Sequence, residues 1–332
     1  DVNAITALTG AITTTSTDGD DTTVNVYDDG GGAPAVQTFT GAIGTSANPI
    51  GTLAIGQADG DAGSGNFDAA INVTNLTITA DNGGSEASLG LFDDDVTATT
   101  ITLDDDTLQA TIELATAATK TLAGTIDGAA ADEGILKISA TGKTVSGVIG
   151  GTFAIDQIDL DATATISASA AAKGITIADS VVGDFDGATI TIGSDTIALA
   201  GEAGEFTTSG TVAQTVTGAI DGTGDGKGVL DNANTAATVT FATAIGATEL
   251  QEVELDDSTT TIFQAAVKAK VADIDSGTVT FEENNNLFNA LTTEAVDINL
   301  VTSLTSSSLS ELSTLATNIA GFTNTTNITT IT

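Results

Sequence analysis

A chain of 332 residues with 45 acidic and 7 basic side chains carries a formal charge of −38, and every basic residue is a lysine. That balance excludes a nucleic-acid binder, which needs a basic footprint, and disfavours insertion into or binding to an anionic membrane; it favours divalent cations as partners. With no Cys and no His, disulfide frameworks, thiolate metal sites and imidazole catalysis are excluded.

In chain order, residues 1–36 form an expected N-terminal β segment, with a short strand at 23–27 between acidic turns at 18–21 and 27–32 and Pro34 before the next region. Over 37–281, runs of four to eight residues rich in Thr, Val and Ile alternate with Gly, Asp and Asn clusters, which predicts strands and turns. Strands are predicted at 71–79, 97–103, 107–114, 135–139, 174–177, 188–192 and 238–241. Aromatics make up only 4% of the chain, so the core is expected to be thin and built from Val, Ile, Leu and Ala. Residues 261–272 place Phe263, Ala266, Val267 and Lys270 on one helical face. Their counterpart at 165–177 reads as strand, and strand is the expectation here too. The polar stretch 282–289 ends the repetitive body. In the C-terminal segment, 282–332, a helix is expected over 308–319. Ser308 and Glu311 fit a capping box, and Leu309, Leu312, Ala316 and Ile319 recur at helical spacing. Residues 321–332 are Thr-rich, uncharged and strand-like. The chain starts at Asp1 and contains no Met, as expected of an exported chain whose signal peptide has been removed.

Three gapless copies organise the body: QTFTGAIGTSANPIGTL at 37–53, KTLAGTIDGAAADEGIL at 120–136 and QTVTGAIDGTGDGKGVL at 214–230. A weaker echo, LTGAI, lies at 8–12. Apolar positions and glycines recur, and no set of reactive groups does, which is the mark of a packing repeat. Ile43, Ile126 and Ile220, with Leu53, Leu136 and Leu230, are therefore predicted to be core.

The expected architecture is all-β: a right-handed parallel β-solenoid with a short C-terminal helix. Tandem β-sandwich domains are the alternative, because strand starts about every ten residues suit both. The TGAI motif, the Gly-x-Leu that follows it and the run IGATELQEVEL at 245–255 resemble the β-solenoid repeats of bacterial surface-layer proteins and autotransporter passengers, including the large rickettsial surface-layer autotransporter. The resemblance covers 37–281 and includes no membrane barrel. It implies a secreted or cell-surface structural protein that assembles with copies of itself into a surface layer or filament. A Ca²⁺-dependent adhesin or passenger stalk is the alternative. A polysaccharide-active β-helix enzyme or phage-type spike is a third reading. An enzyme is not expected: Trp and Arg, which sugar sites use as platforms and anion binders, are missing.

Carboxylate clusters beside turns supply the hard oxygen ligands that Ca²⁺ takes. The candidates are Asp93, Asp94 and Asp95; Asp104, Asp105 and Asp106; and Asp256 and Asp257. None fits the EF-hand loop, and charge runs of this kind often only solvate a surface. Asn72, Asn75, Asn324 and Asn327 sit in Asn-x-Thr sequons and are candidate glycosylation sites. Both ends of the chain are weakly charged β-formers, from which head-to-tail pairing between copies is expected.

Overall fold

A computed structural model describes residues 7–15, 22–27, 34–57, 62–80, 87–105, 108–255, 259–274, 277–282, 286–293, 297–300, 304–306 and 323–324. Side chains are described as far as Asn286. The chain is an all-β parallel solenoid, and it divides into two compact units, Asp1–Lys173 and Gly174–Thr332. That division falls inside the expected repeat body. The parallel pairing of the described ladders excludes the sandwich alternative, whose sheets would be antiparallel.

In the first unit each turn of the chain contributes to three sides. Leu8, Phe39, Phe67, Phe92, Leu114, Ile138 and Leu160 stack in register along one side. Ile12, Ile43, Ile71, Val96, Leu122, Val145 and Ile166 form the second. Val24, Leu53, Leu76, Ile101, Ile126 and Ile149 form the third. The alternation that predicted strands also decides what faces inward. In Val96–Asp104, Val96, Ala98, Ile101 and Leu103 are buried, while the threonines between them face out. The in–out parity slips by one between Ala98 and Ile101, where one strand passes from the second side to the third.

The neighbouring strand Lys120–Gly128 shows how that corner is made. The pairing shifts between Ala123 and Thr125. Between them Gly124 has φ 138°, and a Cβ there would lie 2.5 Å from the Ala98 carbonyl oxygen. Gly124, and likewise Gly218 with φ 146°, is therefore a corner residue required by both conformation and close approach, whereas at Gly41 close approach alone applies, since a Cβ there would clash with the Gly10 carbonyl carbon. As predicted, Ile43, Ile126 and Ile220, with Leu53, Leu136 and Leu230, are fully buried. The repeat nonetheless does not mark a fixed side. Phe39 of the first copy lies on the first side, whereas Leu122, its aligned partner, lies on the second. The copy is a strand–corner–strand module, and the second one enters one side further round.

In the second unit, Ile190, Val216, Phe241, Phe263 and Phe281 stack along one side. Ile197, Ile220, Ile245 and Val267 form another. Phe206, Leu230, Val253 and Ala272 form the third. Residues 261–263 and 267–272 are strand, within Thr260–Phe263 and Val267–Ile274, and 264–266 make the bend between them. Val267, Ala269, Ala272 and Ile274 all point inward, so ladder pairing has overridden a weak helical spacing. The helix expected over 308–319 lies outside the described residues.

Aromatic residues are few but concentrated. Rings stack at 4.9 Å between Phe39 and Phe67 and again between Phe67 and Phe92. In the second unit Phe185 stacks on Phe206 at 4.8 Å, and Phe241, Phe263 and Phe281 form a column with spacings of 5.3 and 5.1 Å. In the two three-ring columns, in-register stacking places like residues one strand spacing apart, the offset-stacked distance that aromatic pairs favour, whereas Phe185 meets Phe206 across an offset, Phe206 pairing with Gly183.

Candidate functional site

One group of charges in the first unit is built at a corner. The strand Ser88–Phe92 ends, Asp93, Asp94 and Asp95 make the bend, and the strand Val96–Asp104 begins. The next turn places Lys120 at the same corner, and Lys143 lies in register beneath Lys120. Lys120 Nζ donates to Asp94 Oδ1 at 2.5 Å. Asp94 Oδ1 also accepts the Asp95 N–H at 2.7 Å, and Asp95 Oδ1 accepts the Thr121 N–H at 2.8 Å. The Lys120 hydrogen bond holds the Asp94 carboxyl below the usual Asp range, and Asp94 in turn raises the Lys120 ammonium.

Lys143 is almost fully buried, with 1% of its surface exposed. Its Nζ donates to the Ala118 carbonyl at 3.2 Å. Burial lowers its pKa, opposed chiefly by the negative charge of Asp93. This acidic corner, read from sequence as candidate Ca²⁺ ligands, is thus met by two lysines from successive turns. Its carboxylates bracket one rung to the next.

Asp105 acts in the same way at another corner. Its Oδ1 accepts the Ala110 N–H at 2.5 Å and its Oδ2 accepts the Gly134 N–H at 2.8 Å, 29 residues away. Burial pushes its pKa up, and the two N–H donors pull it back down. Asp104 is half-buried, and its backbone carbonyl accepts from Ala80. Asp106, Asp256 and Asp257 lie outside the described residues. Among the described residues, no three carboxylates converge as a metal-holding group. Among the described residues, the other ion pairs follow the bracketing pattern: Lys137 to Asp161 at 3.1 Å, Lys173 to Asp156 at 2.8 Å and, in the second unit, Lys227 to Glu202 at 3.3 Å.

The sequons are treated unequally. Asn75 is tied on both sides of its amide: its Oδ1 accepts from the Thr100 hydroxyl at 2.7 Å, and its Nδ2 donates to the Gly51 carbonyl at 3.4 Å. Asn72 lines an open, shallow groove with Thr45, Ser46, Pro49 and Thr97. Asn324 falls in the short strand Thr323–Asn324, and Asn327 lies outside the described residues.

Sequence reasoning missed a buried polar ladder in the second unit. The Thr208 hydroxyl donates to Asn232 Oδ1 at 3.1 Å, and Asn232 Nδ2 donates to Thr261 Oγ1 at 2.7 Å. Asn234 Nδ2 donates to Gln214 Oε1 at 2.8 Å, while Gln214 Nε2 donates to the Phe185 carbonyl at 2.6 Å. Each of these side chains is nearly inaccessible. The signal present in the sequence was the DNAN run at 231–234, flanked by apolar strands where a charged turn would be expected.

No protein-family model, no curated protein and no solved structure matches this chain. The fold and the corner chemistry are therefore the basis for a functional reading. No helix among the described residues is long and apolar enough to cross a membrane.

Proposed function

We infer that this chain is an extracellular structural protein that assembles with copies of itself into a surface layer or filament. The observation that carries the reading is the use made of its polar groups. At the described corners, carboxylates and lysines some 25 residues apart join one rung to the next. What recurs among the three copies is core residues and a corner glycine, the economy of a scaffold. The resemblance of the TGAI modules to surface-layer and autotransporter-passenger repeats supports the same reading. A stack of parallel rungs is extended when another copy adds a strand in register, and a head-to-tail contact of that kind propagates unless it closes into a ring. Divalent cations fit as partners, because a chain of charge −38 must be screened before copies approach.

The test is negative-stain microscopy and light scattering of the purified chain across concentration, salt and Ca²⁺. Regular filaments or sheets that grow with concentration are expected. A monodisperse monomer under all of these conditions would overturn the reading. Deleting 321–332 tests the expected connector: equal polymerisation without those residues shows that the tail does not link the copies.

A further inference from the structure

Two Asn-x-Thr sequons share the strand Ile71–Thr79, and the fold uses them differently. In Asn72-Val73-Thr74 the middle residue is buried and the outer two are half-buried, so the asparagine and the threonine face outward together. The Asn72 backbone is fixed: its N–H donates to the Ile43 carbonyl at 2.7 Å, and the residue pairs with Thr97 on the next rung. The Asn75 amide joins the rungs on either side of it, through the Gly51 carbonyl and the Thr100 hydroxyl. The Asn72 amide enters no such bond among the described residues.

Beside Asn72 lies a groove of about 220 Å³ that opens to solvent. Asn72 and Thr74 both line it, with Thr45, Ser46 and Pro49 from the rung before and Thr97 from the rung after. Its wall is preformed. Thr45 and Asn48 exchange backbone hydrogen bonds at 3.0 and 3.1 Å. Gly44, with φ 70°, packs so closely that a Cβ there would collide with the Asn72 carbonyl oxygen. No lining residue is charged, in a molecule of charge −38. Clefts for drug-sized ligands enclose about 300–1,000 Å³, so this one is sized for a single ring. Its hydroxyls each donate one hydrogen bond and accept two, and Pro49 adds an apolar surface. That lining suits a neutral polyhydroxylated ring. So open a groove holds a free sugar poorly, but a sugar tethered at Asn72 is kept there by its effective concentration.

We propose that Asn72 is an N-glycosylation site whose first sugar lies in this groove, and that Asn75 is left unmodified. The donor is a lipid-pyrophosphate-linked oligosaccharide met during export. Asn72 Nδ2 bonds to C1 of the sugar. The C1–O bond to the pyrophosphate breaks, its electron pair leaves on that oxygen, and the amide gives up one proton. The anchored ring then exchanges hydrogen bonds with Thr45, Ser46 and Thr97. At Asn75 the same bond would set a sugar between the rungs that its amide joins. The site rests on the extracellular part of the reading above and is independent of assembly.

The experiment uses the full chain behind a secretion leader, in a host that attaches asparagine-linked glycans. Export is thus supplied, and the result is separate from where the chain resides or whether it forms a layer. Glycopeptide mass spectrometry locates the glycan in the wild type, Asn72→Gln, Thr74→Ala and Asn75→Gln, with thermal melts to confirm folding. The wild type and Asn75→Gln are expected to carry a glycan on Asn72, and the other two variants to lose it. Seating is read by peptide-N-glycosidase. Release from the native protein should be several-fold slower than from the heat-unfolded chain, and Ser46→Trp, which fills the groove, should remove most of that protection. The proposal is overturned if Asn72 is bare in the folded protein or if Asn75 is occupied in any folded variant. It is also overturned if native and unfolded chains release the glycan at the same rate.

Discussion

At the scale of single residues, Asp94 and Lys120 give the clearest pH signature. The carboxyl is lowered from 3.8 by the Lys120 hydrogen bond. Its stabilising contribution is therefore present above that unfolded value and is lost as pH falls through the lower folded one. The ammonium is raised from 10.5 by the same bond, so its contribution holds below 10.5 and is lost as pH rises through the folded value. The pair thus operates across the neutral range. Lys120→Gln is expected to move the Asp94 titration back up toward 3.8, followed by carboxylate NMR; an unmoved midpoint would show that another group sets it. Asp105, Asp159 and Asp184 run the other way, each raised chiefly by burial. Their contribution is full below 3.8 and is lost as pH rises through their folded values. The corner module offers a second test. Ile126→Ala should cost about 2–5 kcal/mol as a large-to-small core change. Gly124→Ala should cost about 1–3 kcal/mol through φ 138° and the Ala98 carbonyl. Urea melts measure both, and a neutral Gly124→Ala would refute the corner argument.

At the scale of elements, stability comes from columns rather than from isolated strands. A single parallel strand has no partner within reach along the chain, and its hydrogen bonds go to residues some 25 positions away. The phenylalanine column makes this measurable. Phe67 stacks on two rings, Phe39 above and Phe92 below, whereas the next in-register neighbour of Phe92 is Leu114. Each aromatic pair adds about 0.5–1.5 kcal/mol beyond area burial. Phe67→Leu should therefore destabilise by roughly one such increment more than Phe92→Leu. Equal losses in chemical denaturation would show that burial alone matters. The amide ladder is the polar version of the same principle. Asn234 satisfies both Gln214 Oε1 and the Val212 carbonyl, and no residue adjacent in sequence stands in for it.

At the scale of the whole molecule, charge dominates. With −38 spread over solvated corners, self-repulsion in the folded state is screened by salt over a Debye length of about 10 Å at 0.1 M. The melting temperature is expected to rise as NaCl is added from low ionic strength, read by circular dichroism. A flat response would mean that the lysine brackets already neutralise what matters. A further rise with Ca²⁺ at matched ionic strength would mark binding to specific carboxylates, since a ligand that binds only the folded state stabilises it.

The sequence by itself determined the strand content, the corner glycines and the inward residues. Period-two alternation and the recurrence of Gly and Ile are local facts, and Ile43, Ile126 and Ile220 are buried as that pattern requires. The choice of a solenoid over a sandwich was legible too, in the long-range repetition of a core-and-corner module. Only the tertiary structure decided which residues stand above one another. It set Lys120 on Asp94, buried Lys143 beneath them, linked Asn234 to Gln214 and aligned Asn72 with Thr97. The physical reason is register. A parallel ladder pairs residues a full turn apart, turn length varies with each loop, and a shift of one residue turns every side chain to the opposite face. Composition announces that acids and threonines are abundant; stacking decides which acids meet lysines and which threonines line a groove.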